Sequence, residues 1–184
     1  IQMDTVAFGG VFAFTDIDIY TREAEVMLRP ALTSEDGAAF LQAAMGHRFT
    51  GRVAVLQTDG GPEFKGTFAQ QARAYCDRHR IARPYKKNDN AHVEQRNDTM
   101  VRKFLGYERL DFKDLIPLLN YYYAEVVCPL VNHFMPSFKL SEKIRVMSRT
   151  RRVYKAPMTP YQRLMETDYL SETQKLKLKL QHDS

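Results

Sequence analysis

The sequence predicts an α/β fold, a mixed five-stranded sheet flanked by helices. Three observations carry that prediction. The first thirty residues hold three short strand-like runs, two that alternate apolar and polar positions and one rich in β-branched and aromatic residues. Between 33 and 85, segments of helical spacing alternate with short β-branched runs, the order of a sheet covered by helices. From Ala91 onward, apolar residues recur every three or four positions, the mark of helices packing one face on that sheet. Of 184 residues, 44% are hydrophobic and 27% charged, so one packed core is possible and wholesale disorder is excluded.

Each element has its own signal. Ile1, Met3, Thr5 and Ala7 alternate with Gln2, Asp4 and Val6, and Gly9-Gly10 marks a turn. Val11 to Asp18 and Glu23 to Arg29 follow as two more strands, completing an antiparallel meander. Thr33, with Asp36 three residues on, opens a helix that carries Ala38, Phe40, Leu41 and Ala44. Arg52 to Thr58 is a strand ending in Asp59-Gly60-Gly61. Thr67 to His79 has helical spacing, and Ile81 to Tyr85 reads as a brief strand closed by a polar loop. Ala91 to about Arg109 is a helix that Asn90 is expected to cap. Asp111 to about Phe134 is another, with Pro117 in its first turns and Pro129 expected to kink or break it. Beyond Pro136 the pattern decays into a basic connector. Residues 1–136 are therefore expected as the compact core and 137–184 as a basic C-terminal extension. Within it, Lys175 to Leu180 fits either a helix end or a loose tail.

Charge is unevenly spread. Residues 1–60 carry four basic and eight acidic side chains, whereas 137–184 carry eleven and five, within a net +5. An acidic front and basic back suit a polyanion held near a carboxylate-rich site; simple solubility is the alternative reading. Cys76 and Cys128 form neither a disulfide framework nor a metal cluster, which fits a reducing compartment. The most apolar stretch, Leu115 to Val131, is interrupted by Asn120, Glu125 and two prolines, so no bilayer span is expected. Ile1 in place of Met suggests an excised fragment, from which a targeting segment could have been cut away.

Three carboxylates stand where chemistry is expected. Asp4 interrupts an apolar strand and needs a partner or a cation, because an unpaired buried carboxylate costs several kcal/mol. Asp59 ends a strand, where open α/β sheets place their sites. Glu94 lies in the first turn of its helix. Each also has an ordinary reading as an edge-strand residue, a turn residue or a helix-dipole partner, and spacing alone leaves their convergence open. Glu63 is expected as a surface residue at a turn end.

Gln2-Met3-Asp4-Thr5, Asp18-Ile19-Tyr20-Thr21-Arg22, Leu56-Gln57-Thr58-Asp59-Gly60-Gly61-Pro62-Glu63-Phe64, Pro84-Tyr85 and Asp89-Asn90-Ala91-His92-Val93-Glu94-Gln95-Arg96-Asn97 resemble, in that order, the integrase catalytic core. The likeness covers roughly residues 1–135, and Thr159-Pro160-Tyr161-Gln162-Arg163-Leu164 resembles a segment following the core in some transposases. It implies a ribonuclease-H-like fold and a catalytic, metal-binding triad of Asp4, Asp59 and Glu94. By resemblance Asp4 bridges two Mg²⁺ or Mn²⁺ ions, and Asp59 and Glu94 each complete one ion's shell, with substrate bound. Hard carboxylate oxygens suit such ions, which stabilise the attacking and leaving oxygens of a displacement at phosphorus. The implied activity is cleavage of DNA at an element's end and joining of the freed 3′-hydroxyl to target DNA, by a homo-oligomer in a bacterial, nucleoid-associated cytoplasmic setting. End recognition would fall to an N-terminal helical domain outside this segment.

Candidate DNA contacts are Lys86 and Lys87 in the polar loop, Asn97 after Glu94, and Arg149, Arg151 and Arg152; for Asn97, orienting the Glu94 carboxylate and an ordinary polar face are the alternative readings. These arginines belong to a run of seven cations from Lys139 to Lys155 opposed only by Glu142, which suits backbone phosphates; a solvated linker is the alternative. His92-Val93-Glu94 lacks the Pro-Cys-x-x-Cys of zinc deaminases, so that chemistry is excluded. His92 is expected as a solvated first-turn residue. Tyr121-Tyr122-Tyr123 is expected in core and interface. Two rivals remain: a nuclease of this fold that does not join strands, and a repurposed core that binds DNA or a partner without catalysis.

Overall fold

The computed structural model describes residues 1–47, 51–83, 90–147 and 149–183. Alternation in the first thirty residues becomes three antiparallel strands, β1 (Gln2–Ala7), β2 (Phe12–Ile17) and β3 (Ala24–Arg29). β4 (Val53–Thr58) pairs parallel with the other edge of β1, and β5 (Cys76–Ile81) pairs parallel with β4. The result is a mixed five-stranded sheet of order β3-β2-β1-β4-β5.

Pleating assigns each residue to a face. Met3 and Phe14 bury against α1 (Ser34–His47) and α2 (Gly66–Tyr75), in a cluster with Phe40, Leu41, Phe64 and Phe68. Val6, Ala13, Ile17 and Leu28 bury on the other face against two long helices. The first, α3 (91–105), starts as Ala91–Arg96, is π-helical over Asn97–Arg102 and closes as Lys103–Leu105. The second, α4 (116–134), starts as Ile116–Tyr122. Asp4 lies opposite Thr15 on the α3 side of the sheet.

Three local expectations are corrected. The helix expected to run to His79 ends at Tyr75, and β5 begins at once. Arg52 fixes this junction: it donates to the Ala74 and Cys76 carbonyls at 2.8 and 3.1 Å and pairs with Asp77 at 2.9 Å, holding the chain along β4. Strand pairing overrides the helical spacing. Of the strand expected over Ile81 to Tyr85, Pro84 and Tyr85 lie outside the described residues. Pro129 does not break α4, because π-helical turns at Tyr123–Val127 and Leu130–Phe134 absorb it. Asn90 stands at the N-cap of α3 but makes no capping bond; the cap comes from another strand, as described below.

The expected basic connector is an antiparallel hairpin, β6 (Leu140–Val146) and β7 (Arg149–Tyr154). Thr159 and Gln162 form a capping box on α5 (Pro160–Met165), and the Lys/Leu alternation resolves as part of α6 (Glu172–Asp183). The rings of Tyr161 and His182 stack at 4.0 Å, and His182 also meets His133 of α4. Among the described residues no helix is long and apolar enough to cross a membrane.

Candidate functional site

Asp4 is the centre of the site. Its side chain leaves β1 on the α3 side, half-buried, and Asn97 donates to its Oδ2 at 2.7 Å. The same amide accepts from Thr15 at 2.5 Å through its oxygen, so Thr15 of the neighbouring strand fixes which end of Asn97 faces the carboxylate. Burial pushes the Asp4 carboxyl up to about 6. The charges of Asp59 and, less strongly, Glu94 push the same way, against the Thr5 N–H and the Asn97 amide. Asp4 therefore lies within electrostatic reach of both other carboxylates.

Asp59 follows the end of β4, and its Oδ1 accepts from the Gly61 N–H at 2.9 Å, which turns the chain sharply. Glu94 is exposed on the first turn of α3. Buried amides tie the three segments together below the carboxylates. Gln2, one pleat from Asp4, accepts the Val93 N–H at 3.2 Å and so caps α3 from across the fold. Gln57, one pleat from Asp59, donates to Asn90 Oδ1 at 2.9 Å. Each candidate residue thus has a neutral anchor two to four positions before it, and these anchors bond to one another's segments.

Glu63 corrects an expectation. It is 3% exposed, not a surface residue, and sits on the opposite face of the sheet from Asp4. Thr5 donates to its Oε1 at 2.6 Å, while Oε2 is buried without a hydrogen bond. A Cβ at Gly61 would strike this carboxylate, which explains a glycine there. Glu63 braces the Asp59 loop and does not join the site.

The donor set fits a hard divalent cation. Asp4, Asp59 and Glu94 offer carboxylate oxygens, the charges of Asp59 and Glu94 raise the cost of ionising Asp4, and among the described residues none of the three pairs with Lys, Arg or His. A cation would offset that repulsion. Among the described residues, however, no three His, Cys, Asp or Glu side chains stand close enough together to hold an ion as they are. Ligation requires the carboxylates to draw inward.

The candidate DNA contacts are scattered. Lys86 and Lys87 lie outside the described residues. Asn97 is half-buried and bonds Asp4, the placement of a carboxylate partner. Arg149, Arg151 and Arg152 lie on β7, but register separates them: Arg152 opposes Lys143, whereas Arg151 opposes Ile144 and Arg149 opposes Val146 on the other face.

No family model matches the chain. An uncharacterised protein of Sinorhizobium fredii (strain NBRC 101917 / NGR234), y4rM, is 43% identical over 82 residues, which is 45% of this chain and 23% of that protein. The chain thus spans about a quarter of the length of that curated relative. Among solved structures, the simian T-cell lymphotropic virus intasome in complex with PP2A regulatory subunit B56 gamma is similar at 16% identity and a TM-score of 0.49. That likeness covers 85% of this chain and 66% of the matched one.

Sequence reasoning missed the residues that organise the site. Gln2 and Gln57 stand inside quoted motifs but without a role of their own, and Thr15 lies outside every motif; the period-two spacing that puts Gln2 beside Asp4 and Gln57 beside Asp59 is the one hint of what they do. It also placed His92 in solvent. His92 is half-buried and held below its ordinary value, first by burial and then by Arg22 and Lys139.

Proposed function

We propose that this chain is the catalytic core of a metal-dependent polynucleotidyl transferase that cuts and joins DNA, of the transposase and integrase type, on a ribonuclease-H-like arrangement of strands. The observation that carries the reading is Asp4 on the central strand, feeling the charge of Asp59 at the end of the adjacent parallel strand and of Glu94 on the covering helix. Strand ends beside a covering helix are where open α/β sheets hold substrates. Mg²⁺ or Mn²⁺ held by these oxygens would supply the Lewis acidity that displacement at phosphorus needs. Asn97 and Thr15 orient the Asp4 oxygens, Gly61 sets the Asp59 rotamer, and the Gln2 and Gln57–Asn90 contacts seat the helix that carries Glu94. Burial around Asp4 limits competing water.

Labelled duplexes with manganese test the reading. Nicked and then joined products are expected. Asp59→Asn and Glu94→Gln should each lower both by more than the roughly 10–100-fold typical of losing an outer-shell partner. Manganese-dependent nicking that survives Asp59→Asn sinks the site. Nicking without joined product makes the chain a nuclease. A silent DNA-binding core is favoured by the carboxylates not standing at ligating distance; binding without any nicking would establish it.

A further inference from the structure

The turn between β2 and β3 collects cations. Lys139 donates to the Tyr20 carbonyl at 2.9 Å and lies 4.1 Å from the centre of the Tyr20 ring. Arg163, only 7% exposed, donates to the Thr21 carbonyl at 3.2 Å, and Arg96 donates to the Arg22 carbonyl at 3.0 Å. Three consecutive carbonyls thus draw three positive side chains from three distant segments. Arg22 adds a fourth. Among the described residues its guanidinium makes no hydrogen bond or ion pair, and its backbone adopts φ 72°, a left-handed conformation that strains a non-glycine residue.

The local carboxylate is already engaged. Asp18 accepts through Oδ1 from the Tyr20 and Thr21 N–H groups at 2.6 and 3.1 Å. Arg22 and Lys139 are each held below their ordinary values, first by burial and then by positive neighbours that include Arg163, with the Asp18 charge acting the other way. Carbonyls need only neutral donors, which asparagine or glutamine would supply. Concentrating charge here costs the folded protein; Asp18 and Glu166 offset part of that cost, and an arriving anion would offset more. Position narrows the anion. His92 and Arg96 lie one turn apart on one flank of α3, and Glu94 projects from the opposite flank, about 10 Å away across the helix.

We infer that Arg22, Arg96 and Lys139, backed by buried Arg163, form an anion site that takes a backbone phosphate of nucleic acid beside, but not at, the carboxylate centre. Guanidinium forks and an ammonium suit phosphate oxygens. The choice of nucleic acid over free phosphate rests on the proposed DNA chemistry.

Arg22→Gly separates this site from a structural brace. It removes a cation with no internal partner and relieves a strained backbone position, so the free protein should hold or raise its Tm. Metal-free binding of a fluorescein-labelled duplex, followed by anisotropy in an Asp59→Asn background, should weaken about 3–10-fold, with a salt slope shallower by roughly one. Lys139→Gln keeps a donor for the Tyr20 carbonyl and should give the same loss. Arg73→Gln on exposed α2 should leave affinity unchanged. Unchanged affinity and slope in both cluster variants overturn the inference and leave the proposed chemistry standing. A lower Tm accompanying the lost binding makes Arg22 a brace and also overturns it. Inorganic phosphate should compete only weakly; phosphate that binds more tightly than the duplex overturns the nucleic-acid assignment. A protein that binds DNA through these residues but never nicks it with manganese fails as a transferase and keeps this site.

Discussion

On one flank of α3 stand Asp4, Asp59 and Glu94; around the turn it contacts on the other stand Arg22, Arg96, Lys139 and Arg163. Both groups gather like charges, yet they are held differently. The acidic group is anchored by neutral amides, Asn97, Gln2 and the Gln57–Asn90 pair, all within the first hundred residues. The basic group is anchored by backbone carbonyls of one turn, and two of its members come from beyond residue 136. Amides can be placed from the sheet itself, because strands β1 and β4 already lie side by side. Cations around a turn need side chains long enough to reach from elsewhere, so the extension completes what the core begins.

The largest expected effect lies on the acidic flank. Folding raises the Asp4 carboxyl from 3.8 to about 6, so the folded state binds its proton more tightly than the unfolded state. That contribution is fully present below the unfolded value and is lost as pH rises through about 6, by up to about 3 kcal/mol at neutral pH. Asp4→Asn keeps an oxygen to accept from Asn97 and no longer ionises. It should therefore raise Tm near neutral pH by roughly 6–12 °C, an advantage that shrinks toward zero below about pH 4. Manganese should narrow the neutral-pH gap by stabilising the wild type alone. A gap of equal size at both pH values would show that Asp4 does not titrate as described.

A smaller effect sharpens the same flank. Asn97→Ala removes a side chain that bonds Asp4 Oδ2, while leaving the burial of α3 to Val93, Met100 and Val101. Apparent manganese affinity should fall about 10–100-fold, as for other outer-shell partners, with little change in metal-free Tm. Asn97→Gln cannot keep both the Thr15 and Asp4 contacts and should not restore it. An unchanged metal titration would reduce Asn97 to an ordinary polar residue.

Locality explains which of these groups could be read from the sequence. The first four strands and the helix carrying Glu94 follow from periodicity, and Asp4, Asp59 and Glu94 each sit at a position with a local signature, a strand interior, a strand end and a helix start. The partners do not. Gln2 caps a residue 91 positions away, Gln57 meets Asn90 across 33, and Arg163 reaches Thr21 across 142. Nothing in a window of ten residues marks such pairs. β5 was misplaced for a related reason: Tyr75 and Cys76 keep a helical spacing, and only pairing with Val53 reveals the strand. Arg22 has no local signature, because its left-handed backbone and the cations gathered around it exist only in the folded turn.

The smallest effect concerns the hairpin, whose cations differ from the basic flank in being exposed and paired across strands. Lys143 directly opposes Arg152, and Arg145 lies diagonally from it on the same face. Like charges opposite one another destabilise a strand pair by about 0.2–1 kcal/mol, so this face gains most from an anion. Arg151 opposes Ile144 on the other face and lacks that repulsion. If DNA lies along the hairpin, Arg152→Gln should lower duplex affinity a few-fold and the salt slope by about one, with a slight gain in Tm. Arg151→Gln should change neither by as much. Equal losses in the two variants would mean that net charge, not a face of the ribbon, attracts the polyanion, and would leave the turn around Arg22 as the one shaped cationic site of the two.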